Sequence, residues 1–102
     1  MIAAVPPPPP ARVQVVAREF SFALSRRTVN AGTAIIELAN FGEDAHDLRL
    51  QRVGGTRVYA WPVAQSGAVE DETVRLLRGR YRLWCAVANH RALGMTAMLI
   101  VK

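Results

Sequence analysis

Apolar and polar residues alternate with a period of two along most of the chain after Ala11. Between 46 and 51, for example, His46, Leu48 and Leu50 share one face, and polar residues occupy the positions between them. Successive side chains of a strand point to opposite sides, so this period is typical of strands with one buried face. Gly, Asn and Ser interrupt the pattern. We predict an all-β protein, an antiparallel β-sandwich of seven or eight short strands without a helix.

The last two predicted strands show the pattern most clearly. Tyr81, Leu83 and Cys85 share the inward face of the first strand, and Cys85 ends it. Met95 begins the second strand, whose other inward residues are Ala97, Leu99 and Val101. In an antiparallel pair, the end of one strand lies beside the start of the next. We therefore expect Cys85 and Met95 to meet at one end of the sandwich, with His90 in the connecting loop.

The N-terminal segment differs from the rest in composition. Pro6 to Pro10 form an unbroken run of prolines, which favours an extended polyproline II conformation. We divide the chain into a Pro-rich tail or spacer, residues 1–11, and one domain, residues 12–102. The prolines are either a stiff spacer that holds the domain away from a membrane anchor or a neighbour, or a disordered tail without a partner.

Size and charge restrict the class of protein. A chain of 102 residues, about half of them apolar, is large enough for one domain and too small for two. No apolar run approaches the length that spans a bilayer. The net charge of +5 comes from scattered arginines without an interleaved aromatic platform. This favours a solvated basic surface over a nucleic-acid interface.

Four side chains predict a metal site: His46, Cys85, His90 and Met95. Thiolate and thioether sulfurs are soft donors that suit Cu(I), while imidazole suits both oxidation states of copper. Each of these residues alone is more often a packing residue than a ligand. Because the predicted pairing brings them to one end of the sandwich, we interpret them together as a site for one copper ion.

Two other chemistries use some of the same residues. Zinc usually takes three or four strong ligands, and here Asp44 or Asp47 would have to supply an oxygen in place of the poor thioether. A Cys–His nucleophile would need an oxyanion hole and an orienting third group, and the sequence shows neither. A two-copper centre needs a second bridging cysteine, and Cys85 is the only one. Copper is the preferred metal.

The chain resembles the cupredoxins, the small blue copper proteins of the plastocyanin and azurin type. The resemblance lies in segment 79–85, which ends in Cys85, then Asn89–His90 and Gly94–Met95, and in segment 40–48 with His46. It implies a Greek-key β-sandwich and reversible one-electron transfer at a mononuclear type 1 copper, without enzymatic activity. His46, Cys85 and His90 would be the equatorial ligands and Met95 the axial one.

Three positions depart from the usual pattern of the resembling family. Four residues separate Cys85 from His90, more than in plastocyanin-like loops. Asp47 follows the first histidine where several members have Asn, and Ala97 stands where Gly is frequent. None of the departures removes a ligand.

The resemblance also implies how electrons would leave. His90 would be the electron port, surrounded by an apolar patch of Ala86, Val87, Ala88, Ala92 and Leu93. From its charge and its position beside His90, we expect Arg91 either to raise the reduction potential and steer acidic redox partners to this port, or to be only a solvated surface arginine. We expect a monomer, placed in the periplasm or outside the cell, with membrane attachment only through an N-terminal anchor. The alternatives are a copper module for storage, delivery or sensing, and an interaction domain that uses no metal.

Overall fold

The computed structural model describes residues 4–102, in which nine strands form two sheets packed face to face. The strands are β1 Ala11–Arg18, β2 Ser21–Leu24, β3 Thr28–Val29, β4 Gly32–Asn40, β5 Arg49–Arg52, β6 Val58–Ala60, β7 Val69–Leu76, β8 Gly79–Trp84 and β9 Thr96–Val101. One sheet has the order β2-β1-β4-β7, and the other has the order β3-β9-β8-β5-β6. The predicted all-β sandwich is confirmed.

Both sheets are mixed, which the sequence pattern did not indicate. β1 runs parallel to β4, and β3 runs parallel to β9, while the other pairs are antiparallel. The chain leaves the first sheet after β2, contributes β3 to the second sheet, and returns as β4 on the free side of β1. Because this connection crosses between the sheets, β4 re-enters in the same direction as β1. A period of two carries no information on strand direction.

The predicted inward faces form the core. Leu48, Leu50, Leu83 and Leu99 are each at most 1% exposed. Burial of such a side chain stabilises the fold by about 1.5–3 kcal/mol, so the apolar stripes that define the strands also hold the sheets together. The described part of the chain has no helix, and hence none long and apolar enough to cross a bilayer.

The segment 57–67 ties the two sheets together beside His46, which pairs with Ala64. It contains the short edge strand β6, and Pro62 follows two residues after that strand ends. Trp61 is buried, and its Nε1–H donates to the carbonyl of Ile36 in the opposite sheet at 2.9 Å. Pro62 at the edge agrees with the rule that proline avoids central strands.

The proline run lies outside the strands. Residues 4–10 are exposed, and pairing begins where Ala11 of β1 stands opposite Ala34 of β4. Strand β1 thus begins one residue before the predicted domain boundary. The division into tail and domain itself stays a prediction.

Candidate metal centre

Cys85 and Met95 face each other where the β8–β9 pair ends. The last paired residues of these strands are Trp84 and Thr96, and the N–H of Cys85 donates to the Met95 carbonyl at 3.2 Å. Both side chains are fully buried. The pairing therefore brings these two residues together as the alternation predicted.

The loop between these strands folds into a turn that directs His90 inward. The N–H of His90 donates to the Val87 carbonyl at 3.1 Å, and the His90 carbonyl accepts from the N–H of Met95 at 3.2 Å. Ala88 adopts a φ of 47°, in the left-handed region that reverses the chain. His90 is 6% exposed, and its Nδ1 lies 3.7 Å from the Sγ of Cys85.

His46 reaches the same place from a different part of the chain. It forms an isolated antiparallel bridge with Ala64, with N–H to carbonyl distances of 3.1 and 2.7 Å. The side chain is fully buried. His46 was expected to begin a strand, whereas β5 begins three residues later, at Arg49. The bridge to Ala64 holds the histidine in its place instead.

The three side chains converge on one point. One donor atom each of His46, Cys85 and His90 lies within 4.8 Å of the other two. A metal ion bound at about 2.0–2.3 Å by nitrogen and sulfur places neighbouring donors roughly 3–4.6 Å apart. The cluster therefore has the dimensions of a site for a single ion.

The ring nitrogens of His46 favour a ligand at this point. Both are buried and form no hydrogen bond, although Nε2 lies 3.4 Å from Oε1 of Glu19. A buried polar atom without a partner destabilises a fold, and a bound ion would supply that partner. The soft thiol beside two imidazoles is a donor set that suits copper. The residues present thus fit the metal that the sequence predicts.

The thiol of Cys85 lies in a water-poor environment. Burial raises its pKa above the ordinary value, and the nearby carboxylate of Asp47 acts in the same direction. The N–H of Asp47 donates to Sγ at 3.5 Å and opposes this shift. Without a metal the side chain is therefore a thiol at neutral pH, and metal binding would release its proton.

Asp47 also binds the loop. Its Oδ1 accepts the N–H of Ala86 at 2.6 Å, and its Oδ2 lies 3.3 Å from an Nη of Arg49. Asp47 thus connects the β5 side of the site to the β8–β9 loop. It stands where several members of the resembling family have Asn.

Two residues of the site were not identified from the sequence. Asn40 is fully buried; its Nδ2 donates to the carbonyls of Asp44 and Ala64, and its Oδ1 accepts the N–H of Gly42. It therefore joins the turn after β4 to the residue that pairs with the first histidine. The available signal was a polar amide at the end of an otherwise apolar strand.

Phe20 is the second. It lies in the β1–β2 turn. Its ring centroid is 4.7 Å from that of His90 and 6.5 Å from that of His46. The phenyl ring therefore packs against both imidazoles.

Most residues of the expected apolar patch around His90 are exposed to solvent. Ala86, Ala88, Ala92 and Leu93 are exposed, and Val87 is half-buried. Arg91, in contrast, is directed to the outer face of the five-stranded sheet, where its guanidinium carbon lies 4.7 Å from the ring centroid of Trp84.

No protein-family model matches the sequence, and no curated protein sequence matches it. Solved structures do match. Auracyanin A, a "blue" copper protein from Chloroflexus aurantiacus, is 18% identical with a TM-score of 0.75, over 92% of this chain and all of the other. Reduced auracyanin from Roseiflexus castenholzii is 17% identical with a TM-score of 0.74, over 90% of this chain and 97% of the other. A purple cupredoxin from Nitrosopumilus maritimus is 15% identical with a TM-score of 0.62, over 90% and 99% of the two chains.

Proposed function

We propose that this chain, which has the cupredoxin fold, is an electron carrier with one type 1 copper ion held by His46, Cys85 and His90. Met95, fully buried and opposite Cys85, would be a fourth, weak ligand through its thioether. The observation that carries the proposal is the convergence of three buried donor atoms within 4.8 Å of one another, namely one imidazole nitrogen each of His46 and His90 and the thiol sulfur of Cys85. Neither ring nitrogen of His46 has a hydrogen-bond partner.

The chain itself would supply rigidity and exclusion of water. Bound copper would exchange one electron by alternating between Cu(II) and Cu(I). The ligands come from three separately anchored backbone segments: the Ala64 bridge, the end of β8 and the β8–β9 loop. Such a frame holds the same positions in both oxidation states. All three side chains are buried, so a substrate has no direct access, and we propose that the protein is not an enzyme.

The description of auracyanin A as a "blue" copper protein supports the same conclusion. We further propose that redox partners dock at the exposed loop residues around His90, that the protein works as a monomer, and that it acts in the periplasm or outside the cell. Cross-linking in a cell extract, with the protein reduced or oxidised, tests the docking of redox partners. Gel filtration tests the monomeric state, and cell fractionation tests the location.

Addition of Cu(II) to the metal-free protein tests the function. We expect one copper per chain and an intense thiolate-to-copper absorption band in the visible range, with reversible one-electron reduction. Cys85→Ser should abolish the band. Tight Cu(I) binding without a stable Cu(II) form would instead indicate copper delivery or storage, and absence of stoichiometric binding would refute the proposal.

A matched pair of variants tests Met95. Met95→Leu conserves volume and removes the buried thioether, so we expect copper to bind with an altered reduction potential. Met98→Leu makes the same change on the outer face, where the side chain is 39% exposed. Equal potentials for the two variants would exclude Met95 as a ligand.

A further inference from the structure

Nε2 of each candidate histidine lies near a carboxylate oxygen. Nε2 of His90 is 3.6 Å from Oδ2 of Asp44, while its Nδ1 faces Cys85. Nε2 of His46 is 3.4 Å from Oε1 of Glu19, so its Nδ1 is the ring nitrogen without a neighbouring carboxylate. We call Glu19 and Asp44 the carboxylate pair.

The two members of this pair are joined through the backbone. Oε1 of Glu19 accepts the N–H of Glu43 at 2.7 Å and the N–H of Asp44 at 2.5 Å. Glu19 lies in the β1–β2 turn, and Asp44 lies in the turn after β4, so one carboxylate fixes the second turn and faces one histidine. The backbone of Asp44 is thus held through its N–H by Glu19 and through its carbonyl by Asn40.

Gly42 leaves the space that Glu19 occupies. A Cβ at this position would meet Oε1 of Glu19 at 2.7 Å and its Cδ at 2.8 Å. Any other residue there would therefore displace the Glu19 side chain. A glycine that accommodates a carboxylate is a second sign that this carboxylate has a defined place.

Within residues 4–102, no lysine or arginine side chain lies within ion-pair distance of the Glu19 carboxylate. Arg18, the chain neighbour of Glu19, is directed to the ring of Phe41, with its guanidinium carbon 5.6 Å from the ring centroid.

We propose that the carboxylate pair is an outer layer of the metal centre, in which Glu19 is the positioning residue that holds both imidazoles with Nδ1 toward the thiol and favours Cu(II) over Cu(I). This proposal rests on the proposed copper function. A carboxylate that accepts the distal N–H of a ligating histidine fixes its tautomer and increases its basicity. Fixed negative charge near the ion stabilises the more positive oxidation state, so the reduction potential is lowered.

Glu19→Gln tests the proposal, since an amide oxygen can still accept the two backbone N–H groups while the charge is lost. Glu43→Gln is the matched control: it removes the same charge from an exposed side chain on the adjoining turn. We expect Glu19→Gln to lower the ratio of Cu(II) to Cu(I) affinity about tenfold. For a one-electron couple this corresponds to a rise of about 59 mV in the reduction potential. At high salt, which screens exposed charges, Glu43→Gln should leave the potential nearly unchanged. Equal shifts in the two variants, or no shift in Glu19→Gln, would overturn the proposal.

Gly42→Ala is a second test that conserves the charge. It should displace the Glu19 carboxylate from His46 and raise the potential in the same direction as Glu19→Gln. It therefore decides the matter if Glu19→Gln fails to fold, and an unchanged potential in Gly42→Ala would then refute the role of Glu19.

A measurement without metal separates this inference from the proposed function. Nitrogen-15 NMR of the metal-free wild-type protein should place the proton of His46 on Nε2 rather than on Nδ1, and Glu19→Gln should reduce that preference. A proton on Nδ1 in the wild type would contradict the proposal. Failure of the wild type to bind copper would refute the electron-carrier function but would leave the tautomer result to decide the role of Glu19.

Discussion

The side chain of Cys85 is fully buried, yet it would have to be a charged thiolate to bind a metal. Burial raises the pKa of its thiol, so the metal-free protein favours the neutral form in a place where a metal would require the thiolate. The same desolvation that excludes water from a bound ion therefore destabilises the empty site at alkaline pH.

We expect the metal-free protein to lose stability at high pH through this residue. A folded pKa above the unfolded value, about 8.5 for a cysteine, gives stability that is fully present below the unfolded pKa and is lost as pH rises through the folded pKa. Urea unfolding of the metal-free protein between about pH 7 and pH 10 should show this decrease. Cys85→Ser, which retains both tyrosines as a shared background, should show a smaller one, and equal slopes would contradict the prediction.

The sequence predicts pairs of consecutive strands better than it predicts pairs whose connection passes through the other sheet. The β8–β9 pair and the meeting of Cys85 with Met95 followed from alternation alone, because the two strands are consecutive and their register is set locally. The parallel pairing of β1 with β4 did not follow, since it depends on a detour through the second sheet. Alternation shows which face is buried but not which strand is the neighbour.

The position of Glu19 beside His46 could not be predicted from the sequence for the same reason. Glu19 has the pattern of a solvent-facing residue, and its role arises only because the β1–β2 turn meets a turn 24 residues away. His46 could be chosen as a ligand by its residue type. The carboxylate beside it could not, since any of several acidic residues had an equal chance of reaching it.

Asp47 links the approach to β5 with the loop after β8, and we expect its removal to loosen that connection. Asp47→Ala leaves the N–H of Ala86 without its acceptor and Arg49 without its ion pair, at a cost of about 1–2 kcal/mol. Asp47→Asn retains an acceptor oxygen and should cost less. Urea unfolding of the metal-free variants measures both.

The control for this pair is Asp71→Ala. Asp71 is exposed on β7 and stands opposite Glu37 of β4, so its removal relieves a like-charge contact and should change stability by less than about 0.5 kcal/mol. A loss in Asp71→Ala as large as in Asp47→Ala would show that the Asp47 effect is not specific to the loop.

Charge is unevenly distributed over the two sheets. None of the acidic residues lies on a strand of the five-stranded sheet, whose strands carry Arg49, Arg52, Arg80 and Arg82. The other sheet carries four acidic residues, Glu37, Glu70, Asp71 and Glu72, and the remaining four lie around the candidate centre, Glu19, Glu43, Asp44 and Asp47. The strands of the five-stranded sheet therefore carry arginines without acidic residues, so the proposed steering of acidic partners would depend on this sheet as well as on Arg91.

The proline run is the part of the described chain that contributes least to either sheet. Five prolines in the polyproline II conformation span about 15 Å, and residues 4–10 are exposed and precede the first paired residue. We expect a chain that starts at Pro10 to retain the copper band and reduction potential of the full chain. Its free energy of unfolding should fall by less than about 0.5 kcal/mol, which is roughly 2–4 °C in Tm for a domain of this size.

A full-length variant with serines in place of Pro6 to Pro9 separates loss of stiffness from loss of chain. If the shortened chain unfolds at a much lower temperature while the serine variant does not, the tail packs on the sandwich, and the boundary proposed at residues 11 and 12 is wrong.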